Sequence, residues 1–308
     1  MLRHREINAR LANIRKVSVT EVYVEIINTL RDVDLTDYTS LFTDNFPLLN
    51  AVARGGKERP RVLAINASKL TSAPSILIGK GLTFDSGGIQ SKGDHMDGMF
   101  FDKLGACLVV SYCIMNREVP GIIFLTNNLV SETSYIPGEI IPAYNGKKVL
   151  ISHTDAEGRL GLADCIAYAE KMNKKAEKIS IATLTGAASS FTSDNTYALL
   201  HSYRDDIKIR AIERSQGSLS GKDDIGLWPA PRHKSYKSAL KTKVKGADIQ
   251  SCASGLNGGG SMSAYEFLAT FSKKLTHLDI AAMGVKDDQA TGWGLEEVQF
   301  VLDNLGVK

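Results

Sequence analysis

Short apolar runs that alternate with longer helix-like segments constrain the fold of this chain most strongly. Strands are predicted at 61–66, 75–79, 121–125, 148–152, 178–184 and 276–281. Helices are predicted over about 5–31, and at 103–116 and 160–172. Apolar runs of roughly four to eight residues between helices are typical of a buried, mixed but mainly parallel sheet. The sequence therefore predicts an α/β fold with helices on both faces of the sheet.

The length and charge of the chain narrow the class further. Its 308 residues are 43% hydrophobic and 23% charged, which favours a globular protein with one large domain or two ordinary ones. The net charge of +3 gives no reason to expect binding to polyanions by the whole surface. The longest charge-free apolar stretch, 104–115, is shorter than the ~20 residues that a membrane span needs.

The N-terminus and the cysteines indicate a reducing compartment. The Arg-rich start has no apolar segment of the kind found in secretory signals, and Glu6 suits a surface helix better than a transit peptide. The cysteines, at 107, 113, 165 and 252, form no CxxC pair. Free, mostly buried thiols in a cytoplasmic protein are therefore expected.

Most of the charged side chains that are candidates for catalysis or metal binding lie in three loops beside predicted strands and helices. These loops lie at 79–92, 96–102 and 153–159. In parallel sheets, functional groups gather in loops at the carboxyl ends of strands. The glycines around Lys80 do not form a phosphate-binding loop, because the GxxxxGK[ST] order is absent.

Acidic residues in these loops suggest a metal site. Asp155 and Glu157 are two residues apart, so they face the same side if the backbone is extended. With Asp85 and Asp102 they make four carboxylates, which repel one another unless a cation or a shared proton intervenes. Two divalent metal ions would neutralise such a cluster. The alternative is that Asp102 and Asp155 each cap a following helix; the coincidence of three loops favours metal.

Several motifs in these loops resemble those of the M17 leucyl aminopeptidases. The segments are GKGLTFDSGG (79–88), MDGMFFD (96–102) and HTDAEGRLGLAD (153–164), the last close to the family hallmark NTDAEGRL. Further similar segments occur at 135–139, 145–147, 182–187, 277–281 and 291–292. The resemblance runs from about residue 9 to 305, so it implies a single catalytic domain over 1–308. It also implies a three-layer, phosphorylase/hydrolase-like fold as in zinc aminopeptidases.

The resemblance also implies roles for individual residues. The metal ligands would be Lys80, Asp85, Asp102, Asp155 and Glu157, with Asp85 and Glu157 bridging two divalent ions, Zn²⁺ or Mn²⁺. Lys92 would stabilise the oxyanion, and Arg159 would hold a bicarbonate ion as general base. The substrate's first residue would contact Met99, Thr183, Leu184 and Gly186. A lysine that binds metal must be a neutral amine, so we expect nearby dications to lower the pKa of Lys80 strongly.

The implied function is a cytoplasmic, two-metal, water-activated aminopeptidase that removes N-terminal, preferably leucine-like, residues from peptides. Homo-oligomers, hexameric or trimeric, are expected, without a membrane or nucleic-acid partner. The alternative is a non-catalytic oligomeric scaffold or DNA-binding protein that keeps the fold. Basic residues at 232–245 are accompanied by one aromatic, Tyr236, and indicate a solvated face. The presence of Lys80, Lys92 and Arg159 favours the enzyme.

The sequence also departs from the family pattern. Residues 1–75 would supply only the leading helix and first strands, so the family's N-terminal domain is expected to be absent. His153 replaces the family's Asn; it is predicted to be a structural hydrogen-bond donor, with an extra ligand or altered carboxylate geometry as alternatives. Phe100 replaces a basic residue, which would alter the pocket or a secondary cation site. Asp248, Asp279 and His277 are predicted to be structural.

Overall fold

The structure is a computed structural model that describes residues 1–39, 45–94, 96–191, 197–217, 226–281 and 283–306. The helices there are α1 (Leu2–Ala12), α2 (Val19–Thr29), α3 (Pro47–Ala53), α4 (Leu104–Met115), α5 (Glu157–Met172), α6 (Gly186–Phe191), α7 (Asp205–Gly217), α8 (Lys234–Ser238), α9 (Gly260–Leu268) and α10 (Leu295–Asn304). The 3₁₀ helices are Ala67–Lys69 and Asp97–Phe101. The strands are β1 (Leu35–Asp37), β2 (Arg61–Ile65), β3 (Ser75–Gly79), β4 (Leu82–Asp85), β5 (Gly121–Asn128), β6 (Ile140–Pro142), β7 (Lys148–Leu150), β8 (Glu177–Ala182), β9 (Ala198–Ser202), β10 (Leu227–Pro229), β11 (Ile249–Gln250), β12 (Leu275–Asp279), β13 (Val285–Lys286) and β14 (Gln289–Ala290).

The main sheet has the order β1-β2-β5-β3-β8-β12-β9-β10, with β4 beside β5. Its centre, β5-β3-β8-β12, is parallel. The strand β2 and the β9–β10 pair run in the opposite direction, and β1, antiparallel to β2, runs in the direction of the centre. The carboxyl ends of β3, β8 and β12 therefore share one edge. At that edge β4 runs parallel to the end of β5, with Asp85 opposite Asn128. A small second sheet, β11-β7-β6, carries the segment before α5.

Two apolar cores lie on opposite faces of the main sheet. Along β2, Leu63 and Ile65 join one core while Val62 and Ala64 join the other, as the two-residue period of a strand requires. The first core is covered by α1, α2, α4, α7 and α10. The second is covered by α3, α5 and α9. The predicted three-layer α/β architecture with a mixed, mainly parallel sheet is confirmed.

The prediction of one helical segment over 5–31 is wrong in detail. The chain leaves α1 after Ala12 and starts α2 at Val19, where the Ser18 Oγ accepts a hydrogen bond from the Glu21 N–H and caps the helix. The strands β9 and β10 were not predicted. Both strands are short. They lie beyond β12 at one end of the sheet, and their pairing with β12 joins segments that are far apart along the chain, which a local sequence pattern does not reveal.

The segment Asp97–Met115 is long and apolar enough to cross a membrane by length and composition alone. However, 72% of its most apolar window is buried inside the protein. It contains α4, which packs in the first core between α1 and the sheet. Core helices of soluble proteins pass the same length and composition test, so this segment is weak support for a membrane span.

Candidate active site

The predicted ligand side chains come from four segments that are separate in the sequence. These segments meet in space at the carboxyl edge of the parallel strands. Lys80 follows β3 directly, and Asp85 is the last residue of β4. Asp102 lies between the 3₁₀ helix Asp97–Phe101 and α4, and Glu157 is the first residue of α5, two residues after Asp155. Sheet topology therefore brings together residues that are up to 77 positions apart (157 minus 80).

Lys80 is buried at the centre of this group. Its Nζ lies 2.8 Å from Asp102 Oδ1 and 2.9 Å from Glu157 Oε1, and it donates a 2.8 Å hydrogen bond to the Thr183 carbonyl. Burial favours the neutral amine, but the carboxylates of Asp102 and Glu157 outweigh it and raise the pKa of Lys80. The sequence analysis predicts a lowered pKa for Lys80 in a site that holds divalent cations. Without such cations, the neighbouring carboxylates raise the pKa of Lys80 instead.

Lys92 contacts the other two carboxylates. Its Nζ lies 2.6 Å from Asp85 Oδ2 and also pairs with Asp155 Oδ1, with the side chain 19% exposed. Asp85 Oδ1 accepts hydrogen bonds from the Gly87 N–H at 2.9 Å and the Asn128 amide at 2.8 Å. Burial, followed by the charges of Glu157 and Asp102, raises the pKa of Asp85 to about 8. Burial and the neighbouring acids therefore outweigh the opposing charges of Lys92 and Lys80 at this carboxyl.

The carboxylate geometry fits a divalent cation. Asp85, Asp155 and Glu157 each offer an oxygen atom, and these three atoms lie within 4.8 Å of one another. Asp102 Oδ2 and Glu157 Oε2 are buried and have no hydrogen-bond partner among the described residues. Buried acceptors without donors are costly, and carboxylate oxygens are ligands for divalent ions. The cluster can therefore hold a metal ion, which the four acidic residues in the sequence suggested.

The alternative that Asp102 and Asp155 cap helices is wrong. The capping positions of α4 and α5 are Lys103 and Ala156, and neither helix receives a side-chain cap. Asp102 instead accepts a 2.6 Å hydrogen bond from the Thr183 hydroxyl and pairs with Lys80. Both acids thus face the cluster.

His153 is exposed, and its Nδ1 accepts a 3.1 Å hydrogen bond from the Asp155 N–H. The prediction that it donates a structural hydrogen bond is therefore wrong in the direction of the bond, although the contact does fix the turn that carries Asp155. His153 is not among the residues of the acidic cluster described above.

Arg159, two residues after Glu157 in α5, is buried, with 8% of its surface exposed. Its Nη1 donates a 2.9 Å hydrogen bond to the Ser251 carbonyl, and its Nε has no hydrogen-bond partner in the described part of the chain. A buried guanidinium with an unused donor is suited to an anion.

Of the predicted substrate contacts, Thr183 bonds to the cluster through Asp102 and Lys80. Leu184 is half-buried, and Gly186 is exposed, so that a side chain at this position would meet nothing within 4 Å. Met99 is half-buried in the 3₁₀ helix Asp97–Phe101. Phe100, which follows it, packs edge-on against Phe84 with ring centroids 4.9 Å apart. The aromatic side chain at position 100 therefore belongs to a packed pair with Phe84.

Sequence reasoning missed several residues that hold the loops in place. Asn128 donates hydrogen bonds both to Asp85 and to the Thr154 carbonyl, which also accepts from the Tyr135 hydroxyl at 2.6 Å. The Thr154 hydroxyl donates to the Gly87 carbonyl at 2.8 Å. The one available signal for Asn128 was its place at the end of an apolar strand, which was predicted to stop at 125.

Comparison with known families agrees with this geometry. Residues 7–298 match the sequence model described as the cytosol aminopeptidase family, catalytic domain.

The chain belongs to the cytosol aminopeptidase family.

Similar proteins carry the same family name. A probable cytosol aminopeptidase of Mycoplasma pneumoniae is 38% identical over 80% of this chain and 56% of its own length. One of Wigglesworthia glossinidia brevipalpis is 36% identical over 90% of this chain and 56% of its own length. The cytosol aminopeptidase of Pseudomonas aeruginosa is 37% identical over 79% of this chain and 50% of its own length. The chain thus spans about half the length of these curated relatives of the cytosol aminopeptidase family.

Proposed function

We propose that this protein is a metal-dependent aminopeptidase that releases N-terminal residues from peptides. The observation that carries the proposal is the convergence of the five predicted ligands with Lys92 in one buried cluster. Family membership supports the reaction class. A non-catalytic scaffold would have no need for two lysines, one of them buried, among four acids, because such a cluster is costly without a bound cation.

Two divalent ions, Zn²⁺ or Mn²⁺, would be held by Lys80, Asp85, Asp102, Asp155 and Glu157. When bound, such ions supply Lewis-acid polarisation of a carbonyl and activation of water. The protein fixes the ligands beforehand, through the hydrogen bonds from Asn128 and Gly87 to Asp85 and from Thr183 to Asp102. Ligand orientation of this kind tunes both affinity and activity.

Lys92 and Arg159 have separate roles in the proposed reaction. Lys92 keeps its proton because the neighbouring carboxylates raise its pKa against the effect of burial. Its ammonium can stabilise negative charge that develops on the carbonyl oxygen during attack by water. Arg159 has a free Nε donor that would hold a bicarbonate ion, which would accept the proton of the attacking water.

Selectivity for N-terminal residues follows from the charge of the site. A free α-amino group can pair with the acidic cluster when protonated or bind a metal ion when neutral, whereas the nitrogen of an internal peptide bond carries no charge and has no free lone pair. The side chains of Met99 and Leu184 are half-buried, there is open space at Gly186, and together these residues would form an apolar rim around the first residue of the substrate. That rim supports a preference for leucine-like first residues.

We also propose a cytoplasmic homo-oligomer, a trimer or a hexamer. Relatives named cytosol aminopeptidases support the location. Large apolar side chains that are about half exposed, such as Val130, Phe191 and Ile209, suit burial between subunits. Light scattering after size-exclusion chromatography tests the assembly, and a monomer would contradict it.

The function is tested by hydrolysis of leucine p-nitroanilide with added Mn²⁺ or Zn²⁺. The wild-type protein is compared with Glu157→Ala and Lys92→Ala, and with Glu132→Ala as a control at an exposed acid away from the cluster. We expect activity in the wild type and the control and losses of at least about a hundredfold in the other two. Metal-dependent activity no greater in the wild type than in Glu157→Ala would contradict the proposal.

A further inference from the structure

A buried carboxylate behind the substrate-side loop accepts four hydrogen bonds. Asp279, the last residue of β12, is 1% exposed. Its Oδ1 accepts the backbone N–H groups of Leu184 at 3.2 Å and Thr185 at 3.3 Å. Its Oδ2 accepts the Thr185 hydroxyl and the Ser261 hydroxyl, each at 2.7 Å. One side chain therefore ties the loop after β8 to the start of α9.

The chain of hydrogen bonds continues to a buried histidine. Ser261 Oγ lies 2.8 Å from His201 Nε2. Because the serine hydroxyl donates its proton to Asp279, its oxygen accepts here and His201 carries its proton on Nε2. Burial lowers the pKa of His201, which keeps the ring neutral. The His201 ring stacks on the Tyr265 ring, with centroids 5.2 Å apart. The histidine end of this series of hydrogen bonds is therefore fixed in the core.

The tethered loop also contacts the metal cluster. Thr183 donates its hydroxyl proton to Asp102 and offers its carbonyl to Lys80, whereas Leu184 and Gly186 lie on the side proposed to receive the substrate. No hydrogen bond or ion pair joins Asp279 to the five proposed ligands within the described ranges. Asp279 therefore reaches the site through the backbone of 184–185 and not through the metal shell.

We propose that Asp279 is a positioning residue that holds the segment 184–186 in its substrate-binding conformation, with Thr185 as the main contact. This inference rests on the proposed aminopeptidase function. Two backbone N–H groups and a hydroxyl, all directed at one buried carboxylate, leave the segment few alternative conformations, since any other would bury unpaired donors. The loop thus presents its substrate-facing atoms without reorganising when a peptide binds.

Thr185 allows a test with closely matched variants. Thr185→Val removes the hydroxyl and keeps the shape, and Thr185→Ser keeps the hydroxyl. Thr270→Val is the control. It also removes a hydroxyl, but one that lies just after α9 and donates to the Phe267 carbonyl within that helix. With leucine p-nitroanilide, we expect Thr185→Val to raise KM about tenfold with kcat within about threefold of wild type. Thr185→Ser and Thr270→Val should stay within about twofold of the wild-type KM.

Hydrogen exchange of the peptide that covers 183–188 gives a readout that does not depend on activity. Exchange should be about tenfold faster in Thr185→Val than in the wild type, and unchanged in Thr185→Ser and Thr270→Val. Unchanged exchange and KM in Thr185→Val, or equal effects of Val and Ser, would overturn the positioning role. If the wild type hydrolyses no substrate, the proposed function fails, and the exchange data still decide whether the Thr185 hydroxyl, which bonds to Asp279 and to the Ala188 N–H, holds the loop.

Discussion

Gly158 lies directly against the side chain of Lys80. A Cβ atom at Gly158 would fall 2.5 Å from Lys80 Cε and 2.8 Å from its Nζ, closer than non-bonded atoms approach. The first turn of α5 therefore leaves room for the lysine only because position 158 has no side chain. This contact explains in steric terms why glycine follows Glu157 in the motif.

Gly158→Ala should therefore displace Lys80 and disturb the metal cluster. We expect kcat/KM for leucine p-nitroanilide to fall by about a hundredfold, because displacements near 1 Å are enough for such losses. Helix propensity alone would favour alanine at this place by about 1 kcal/mol, so a loss of activity cannot come from the helix itself. Gly98→Ala, whose Cβ would meet nothing within 4 Å, is the control. Equal activity of the two variants would contradict the steric account.

The variant Arg159→Lys should show whether the proposed anion site needs the planar guanidinium of Arg159 or only its positive charge. Lysine keeps the positive charge but lacks the planar donor array that contacts the Ser251 carbonyl and leaves Nε free. We expect kcat to fall by about a hundredfold and stimulation by added bicarbonate to disappear. A variant with wild-type kcat and wild-type bicarbonate response would remove Arg159 from the mechanism.

Asp164 should contribute to stability rather than to catalysis. This buried carboxylate accepts the N–H groups of Leu48, Leu49 and Tyr144 at 2.8, 3.1 and 2.7 Å, and so joins α5 to α3 and to the loop after β6. Asp164→Ala leaves three donors unpaired and should lower the free energy of unfolding by about 3 kcal/mol. Denaturant titration measures the change. Asp34→Ala, at an exposed acid that accepts one N–H from Ser68, should cost less than about 1 kcal/mol.

The buried histidine His277 should make the protein sensitive to acid. Burial lowers its pKa to about 4, while the charge of Asp279 opposes this shift and that of Arg159 reinforces it; the His201 ring stacks on it with centroids 5.8 Å apart. Its folded pKa lies below the unfolded value, so the full stability is present above about pH 6.5. As the pH falls from there to about 4, unfolding binds a proton, and up to about 3 kcal/mol of unfolding free energy is lost.

Denaturant titrations at several pH values check this dependence. Replacement of the ring by His277→Gln should make the slope between about pH 6.5 and 4 shallower, with the buried His201 still contributing, and His233→Gln, at an exposed position, should leave it unchanged. An acid slope that is the same in His277→Gln as in the wild type would assign the effect to other groups.

The strands and loops that position the site could be predicted from the sequence because their signals are local. The run 75–79 is confirmed as β3, and Lys80 and Asp85 follow from the glycine-rich motif beside it. Asn128, Tyr135 and Ser251 could not be predicted, because their roles come from contacts with residues that are distant along the chain. Gly158 is part of the sequence motif, but the need for glycine there follows from the contact between the first turn of α5 and the Lys80 side chain, which only the structure shows.

The central claim is that the acidic cluster binds metal and accepts a free N-terminal amine. It is tested most directly by comparing leucine p-nitroanilide with its N-acetylated form on the metal-loaded protein, before and after chelation. The account predicts hydrolysis of the free amine only, at least about a hundredfold above the acetylated substrate, and its loss on chelation. Hydrolysis of both substrates at similar rates, or hydrolysis that survives chelation, would contradict it.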